Sequence, residues 1–579
     1  MKWYLLGIFS GIFFTAVFLY SLILNITKPV GFIYIDAHHV NFILKHNIEV
    51  FSSGNWKELT TLPMFYGIKN SLFFTDHYLF PSLVALPLYL LFKDIILVAN
   101  LLTVGTIFAS FFSMYALAFH FTKRVWPSII AATIYVFNPF ITNWIPEYLL
   151  LYSLQWIPLI ILFFEKSLKS PTRKNTFSFF LFLTLQLLSS SLYYSAFLTV
   201  ILPLYMVIRF WQKKIFPAKL CNWGTLTGLV LFGLVTILDA YLYLQVFSQE
   251  PINRSLAIAE YFYSAWIANW FFTVPSNLIY GSLRERVISL APNFFPYNNL
   301  EQSLFWGLTP FFIFLLSFFI LKKSAYRKIW LLFLGLLIVS LLLSLGPRIH
   351  LTTQLSLPGP YLLIYKLNPL FSFLRVPARF ALFVFFFLAL IVALTIKEIS
   401  KKLTHQKVLL LGTVTLFLIL VEYANRPFEF TQIPPQTKKF YQFLEEQKNI
   451  KVILDLPISN RIPNILPSAR AETLDAHYLF WATTLHSKKL FNGYSSFIPA
   501  KYFQRAYLLS IDFPTSAKLT LLKIWGVDGI VLHEDEFKSR QDFDKIKNGL
   551  IKLDVPQIVS ANPPTGELIL FDLTKWKSS

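Results

Sequence analysis

Long apolar runs separated by short basic stretches dominate the first 424 residues of this 579-residue chain. Crossing about 30 Å of hydrocarbon at about 1.5 Å per residue takes roughly 17 to 25 mostly apolar residues. Segments of that kind lie at approximately 3–25, 98–120, 126–142, 148–164, 176–190, 192–208, 224–244, 304–321, 329–345, 379–396 and 408–424. The pattern predicts an α-helical polytopic membrane protein with about 11 spans. The first segment exceeds a signal-peptide core of about 7 to 15 residues and lacks a clear cleavage site after it, so it reads as an uncleaved anchor.

Orientation follows from the basic loops. Lys and Arg cluster at 123–124, 166–174, 209–219, 322–328 and 397–407. Neighbouring clusters are two spans apart, so all five fit the cytoplasmic side together, with Lys2 placing the N-terminus there as well. A crossing at 78–92, which holds Pro81 and Pro87, would invert every later loop. That stretch, like 361–373, is therefore expected to be interfacial or re-entrant. Segments 26–97, 245–303 and 346–378 are then exoplasmic.

From about residue 425 the pattern changes to mixed charge with alternating short helical and strand-like stretches. Helices are expected at 437–447, 471–486 and 534–553, and strands at 451–456, 528–533 and 567–573. The domain organisation is therefore 1–424, transmembrane with a long first exoplasmic loop 26–97, and 425–579, an exoplasmic α/β domain.

Composition narrows the class. The chain is 55% apolar and carries 62 Phe, 28 Tyr and 14 Trp with 32 Pro and only 20 Gly, which suits helices in lipid better than a barrel. Residues 425–579 hold 20 basic and 16 acidic side chains, so 17 of the 21 net positive charges fall in the apolar part. The charge belongs to membrane topology, and no nucleic-acid partner is implied. The single cysteine, Cys221, excludes an intramolecular disulfide and a multi-cysteine metal cluster.

Acidic residues are scarce before residue 425, and four converge on the outer face: Asp36 in GFIYIDAHHV, Asp76 in SLFFTDHYLF, Glu147 in NWIPEY, and Asp239 inside the seventh span. Asp36 and Asp76 also suit helix caps, Glu147 suits the Pro146 turn, and Asp239 suits pairing with an internal cation. His77 follows Asp76, while adjacent His38 and His39 point in different directions on any regular element. Their spacing is a weak metal signal, and no cofactor or metal is assigned. Arg375 and Arg379 border the tenth span, where a guanidinium fork matches phosphate or carboxylate oxygens. Snorkelling at a span boundary is the alternative for Arg379. Acids and arginines together at the outer leaflet suit a lipid-phosphate substrate.

These residues resemble the pattern of the GT-C superfamily of polytopic glycosyltransferases, nearest to its bacterial and archaeal members. The resemblance rests on the early Asp36, on Thr75-Asp76-His77, on Asn138-Pro139 ending the third span, on Leu374 to Phe380, and on ILDLPI and KLFNGYSSFIP near the C-terminus. It covers nearly the whole chain. One departure is Ala37, where protein-mannosylating relatives carry a second acid. The resemblance implies inverting transfer from a polyprenyl-phosphate-linked sugar at the outer face, with Asp36 as general base. It places Asp76, His77, Glu147, Asp239, Arg375 and Arg379 around the substrates, with a glycan, lipid or protein acceptor. A lipid-linked-sugar flippase and a non-catalytic envelope-assembly protein are the competing classes.

Overall fold

A computed structural model describes residues 2–189, 192–249, 256–294, 300–458 and 474–577. Helices occupy all eleven apolar segments. Seven are long and apolar enough to cross a membrane, from Ile95–Thr122 to His405–Glu422. The other four are Lys2–Phe18, Val125–Phe137, Arg173–Leu188 and Leu308–Ile320. The protein is a polytopic helical membrane protein. Its centre is the stretch Pro377–Ser400, whose apolar positions are buried all round and which packs against helices Val125–Phe137, Leu308–Ile320 and Arg327–Ser344. By contrast, Trp223–Gln249 leans mainly on Arg173–Leu188 and leaves most of its surface open.

Helix Leu79–Phe92 has 14 residues, about 21 Å at the helical rise, too short to cross. The 361–373 stretch forms two short helices, Tyr361–Leu367 and Pro369–Phe373. The five basic clusters meet at one end of the bundle. Lys397 Nζ donates to Phe121 O (3.3 Å), Gln212 to Lys328 O (2.8 Å), and Asn222 to Pro171 O (3.1 Å). Tyr115 OH donates to Trp3 O (2.7 Å), which puts the start of the first helix at the same end, so the spans at 3–25 and 98–120 already bring the chain back there and 78–92 is not a third crossing.

A buried ion pair fixes this end. Arg209 Nε and one terminal nitrogen donate to the two oxygens of Glu165, each at 2.6 Å, and Tyr205 adds a hydroxyl at 2.7 Å. The three side chains join helices Trp156–Lys169 and Leu192–Lys213.

The C-terminal region folds as a sheet flanked by helices. Its strands are β3 (Val452–Leu456), β4 (Lys489–Leu490), β5 (Gly529–His533), β6 (Gln557–Ala561) and β7 (Leu568–Asp572), in the order β4-β3-β5-β7-β6. Here β1 (Arg348–His350) and β2 (Ser356–Pro358) are a separate antiparallel pair in the 346–378 loop. β3 pairs in parallel with β4 and β5, whereas β7 is antiparallel to both neighbours. β3, β5 and β7 are buried along their whole length, as expected of strands covered on both faces. Helices Pro435–Glu446, Leu474–Thr484 and Arg540–Lys552 match the expected ones, residues 471–473 lying outside the described residues. Helices Ala500–Ser510 and Ser516–Ile524 and strands β4 and β6 are additional.

This domain is built onto the first loop. Helix Ile35–Ser53 packs along Leu474–Thr484, and Lys45 Nζ donates to Ala482 O (3.1 Å) and Thr483 O (3.0 Å) at that helix's C-terminal end. A cation there satisfies carbonyls that have no partner within the helix. Residues 63–66 extend the sheet beyond β4: Leu490 N donates to Pro63 O (2.9 Å) and Phe65 N to Asn492 O (2.9 Å).

Replacing Glu165 by Ala strands Arg209 in the bundle and is expected to destabilise the protein by about 3–5 kcal/mol. The double replacement Glu165→Leu, Arg209→Met should recover most of the loss, since it leaves no buried charge. Thermal unfolding in detergent checks both, and a single replacement as stable as the native chain would contradict the pair's role.

Candidate functional site

Asp36 lies in the first turn of helix Ile35–Ser53, a position where a carboxylate meets unpaired backbone N–H groups. Facing it is the turn that follows the third span. Asn138 makes that turn: its side-chain oxygen accepts from Ile141 N (3.1 Å), its amide donates to Tyr135 O (2.9 Å), and Pro139 starts a new short helix. The chain then swings Trp144, Glu147 and Tyr148 towards Asp36. The Tyr148 hydroxyl donates to the Asp36 carboxylate, and the Asp36 backbone N–H faces Glu147. From the far end of the sequence, Tyr494 OH donates to Asp36 Oδ1 at 3.2 Å.

Glu147 is held in a different state from an ordinary carboxylate. Burial, and secondarily the negative charge of Asp36, push its carboxyl up to about 8. A carboxyl held protonated in this way is a proton holder beside the Asp36 carboxylate.

Beyond Tyr148 lies Arg379, buried, with Nε donating to Glu301 Oε1 at 3.0 Å. Its guanidinium sits over the rings of Tyr193 (4.5 Å), Tyr148 (5.6 Å) and Trp144 (5.9 Å). Arg375 is less buried and lies over Tyr263 at 5.1 Å, while its backbone N–H donates to Tyr193 OH (3.3 Å). Tyr193 therefore touches both arginines.

Asp76 and His77 form the neighbouring group. Leu79 N donates to His77 Nδ1 (3.2 Å), which leaves Nε2 to carry the proton towards Asp239 Oδ1 at 3.2 Å. The partner of the intramembrane Asp239 is thus a histidine from the first loop. The same loop is anchored by Tyr243 OH to Thr75 O (2.9 Å) and by Asn47 to His77 O (2.8 Å). Tyr78 feels the charges of both Asp76 and Asp36, so both acids lie within electrostatic reach of its hydroxyl.

An apolar cavity of about 430 Å³ runs between helices Arg173–Leu188, Leu192–Lys213 and Trp223–Gln249. Tyr243, Phe247 and Phe373 belong to its wall and also to a smaller pocket whose polar lining includes Thr75, Asp76, Tyr193 and Ser496. The apolar space therefore ends beside Asp76 and beside Tyr193, the residue that touches both arginines.

His38 and His39 point to different surroundings. His38 is enclosed by Phe32 and Phe480, and burial, with His477 nearby, pushes it down to about 3, so it is neutral. His39 packs against Tyr494. Among the described residues no three His, Cys, Asp or Glu side chains are grouped to hold a metal ion.

The structure brings Asp36, Glu147 and Arg379 together through Tyr148, and Asp76, His77 and Asp239 through the 75–79 loop, with Arg375 joined by Tyr193. Sequence reasoning passed over Tyr148, Tyr193, Glu301 and Tyr494. KLFNGYSSFIP carried Tyr494, but no local signal points to its partner.

No protein-family model and no curated protein matches the chain. Solved structures do. The arabinofuranosyltransferase AftD from Mycobacteria superposes with a TM-score of 0.56 at 12% identity over 99% of this chain. This chain spans 40% of AftD. ArnT from Cupriavidus metallidurans, solved bound to undecaprenyl phosphate, superposes with a TM-score of 0.50 at 13% identity, covering 99% of this chain and 98% of ArnT. The chain has the fold of the GT-C glycosyltransferases.

Glu147 makes stability depend on pH. Its affinity for a proton is higher folded than unfolded, so its contribution is full below pH 4.5 and is lost as pH rises to about 8. Glu147→Gln imitates the protonated form. Its melting temperature should equal the native one near pH 4.5 and exceed it increasingly towards pH 8; a pH-independent difference would contradict the buried, protonated state.

Proposed function

We propose that this protein is a membrane glycosyltransferase that moves a sugar from a polyprenyl-phosphate donor to an acceptor hydroxyl at the outer face of the membrane. The observation that carries the reading is the apolar cavity between membrane helices that ends at Asp76 and Tyr193, next to the arginines and Asp36, in a chain with the GT-C fold. An isoprenoid tail suits the cavity and a phosphate suits its polar end.

Asp36 accepts the acceptor's proton as the acceptor oxygen bonds to the anomeric carbon. The bond from that carbon to the phosphate oxygen breaks, and the polyprenyl phosphate leaves with the electron pair. Attack opposite the leaving group inverts the anomeric centre. Phenols of Tyr148 and Tyr494 hold Asp36 ionised and oriented, and Glu147, protonated, adds no second negative charge. Arg375 meets the departing phosphate, where a fork-like donor is stronger than in bulk water. Arg379, already engaged by Glu301, holds the Tyr148 and Tyr193 rings in place.

Asp36→Asn keeps the shape but removes the base. Turnover of a polyprenyl-phosphate-linked sugar with membrane extract as acceptor source should fall about 10²- to 10⁴-fold, with melting temperature and polyprenyl phosphate binding unchanged. Full activity would overturn the assignment.

In this reading the basic end, the N-terminus included, is cytoplasmic and the C-terminal domain exoplasmic. Cys221, the chain's one cysteine, is exposed at the basic end. An impermeant maleimide should reach it only after cells are permeabilised, while Lys577→Cys, made with Cys221→Ser, should label on intact cells. The reverse pattern would invert the topology and remove the outer-face chemistry.

A further inference from the structure

A second cavity lies away from this site, at the basic end of the bundle. Helix Leu192–Lys213 begins beside the arginines, at Tyr193, and ends about 33 Å away in the Arg209 to Lys219 cluster. Between its last turns, the following 214–217 segment and the start of helix Arg327–Ser344 is a groove of about 1,100 Å³. This exceeds the roughly 300–1,000 Å³ of ordinary small-molecule pockets.

Its chemistry is divided. The deep wall is apolar, with Leu204, Ile208, Leu332 and Val339, and the mouth carries Lys214, Arg327 and Lys328. Among the described residues none of these three cations makes an ion pair, whereas Arg209 immediately behind them is fully engaged by Glu165. The frame is rigid: Arg209 donates to Gln212 Oε1 (2.9 Å), and Gln212 donates to Lys328 O (2.8 Å), tying the two helices across the mouth. Gly335 lines the floor, and a side chain there would meet nothing within 4 Å, so the helix leaves this space open by its choice of residue.

We infer that this groove is a binding site for an anionic phospholipid, with the acyl chains along the apolar wall and the phosphate among Lys214, Arg327 and Lys328. Charge complementarity selects the occupant: an apolar slot with three unpartnered cations at its rim fits a lipid with net negative charge and disfavours a zwitterionic one, whose ammonium group faces the same cations. Basic pockets between membrane helices are suited to anionic headgroups in this way. The site is independent of the donor cavity. A lipid seated there bridges helices Leu192–Lys213 and Arg327–Ser344 at the end opposite the proposed chemistry.

The test uses the full-length protein purified in detergent and titrated with phosphatidylglycerol or phosphatidylcholine, with bound lipid counted by native mass spectrometry. Each rim cation is worth about fivefold in affinity, so three together give about a hundredfold. The native protein should bind one phosphatidylglycerol at least tenfold more tightly than phosphatidylcholine. Lys214→Gln, Arg327→Gln, Lys328→Gln in one chain should lose that preference, and Gly335→Leu should displace the lipid while leaving the rim charges in place. Water-soluble glycerol phosphate should not compete. Equal binding of the two lipids would reduce the groove to an ordinary bilayer-facing surface and overturn the inference. So would unchanged binding in both variants, or competition by glycerol phosphate. Binding of polyprenyl phosphate in the donor cavity is a separate readout that these substitutions leave unaltered.

Discussion

A charge placed in hydrocarbon without a partner costs enough to decide where helices sit, and in this bundle the partners come from different elements. Glu165 and Arg209 join two helices at the basic end, Glu301 and Arg379 fix a loop to the start of the central helix, and Asp239 holds His77. Each pair sets a distance between elements that apolar packing alone, which is non-directional, leaves adjustable. The 75–79 loop shows the consequence. Asp239 and Tyr243 from the bundle, with Asn47 from the first loop, set the height at which it carries Asp76.

The same logic governs the irregular backbone at the end of the bundle opposite the basic clusters. Non-helical segments at that depth are tolerated where protein covers them. The C-terminal domain supplies part of the cover. Residues 63–66 find their hydrogen bonds on β4 and the segment after it, and Ser495 Oγ donates to Phe74 O (2.8 Å). The domain therefore completes the first loop, and Tyr494 reaches Asp36 as a consequence of that docking.

How much of this could be read from the residues depends on the range of the interaction. The spans were legible because a run of apolar residues carries its own reason to be helical in lipid, and the basic loops because their spacing restricts crossing parity. In the C-terminal domain, β3 was expected at 451–456 and is Val452–Leu456, since a strand buried on both faces has a continuous apolar signature. β4 escaped notice because Lys489–Leu490 is a strand only by virtue of Lys451 on one side and Pro63 on the other. The acids of the site were visible by their rarity in an apolar chain. Their partners were not: Tyr494 is 458 residues from Asp36, and Glu301 is 78 from Arg379. A tyrosine among 28 or a glutamate in a loop between spans has no local feature that announces a distant contact.

The two arginines of the Leu374 to Phe380 stretch show why that distinction matters. By sequence both are candidates for an anion, four residues apart on either side of Pro377, with Arg375 the better one and snorkelling the alternative for Arg379. In the fold Arg379 has a carboxylate and three aromatic rings around it, and removing such an arginine from a buried pair typically costs about 3–5 kcal/mol because the remaining charge is stranded. A group that already satisfies its partner so fully gains little by exchanging it for a ligand. Arg375 lies on the Tyr263 ring and is partly accessible, so a phosphate adds an interaction to it rather than replacing one. The same contrast recurs at the opposite end, where Arg209 is pinned by Glu165 while Lys214, Arg327 and Lys328 face open space. At both ends one arginine is held by a carboxylate while, among the described residues, the neighbouring cations make no ion pair, so the pairs that hold the bundle together also determine which cations remain unpaired.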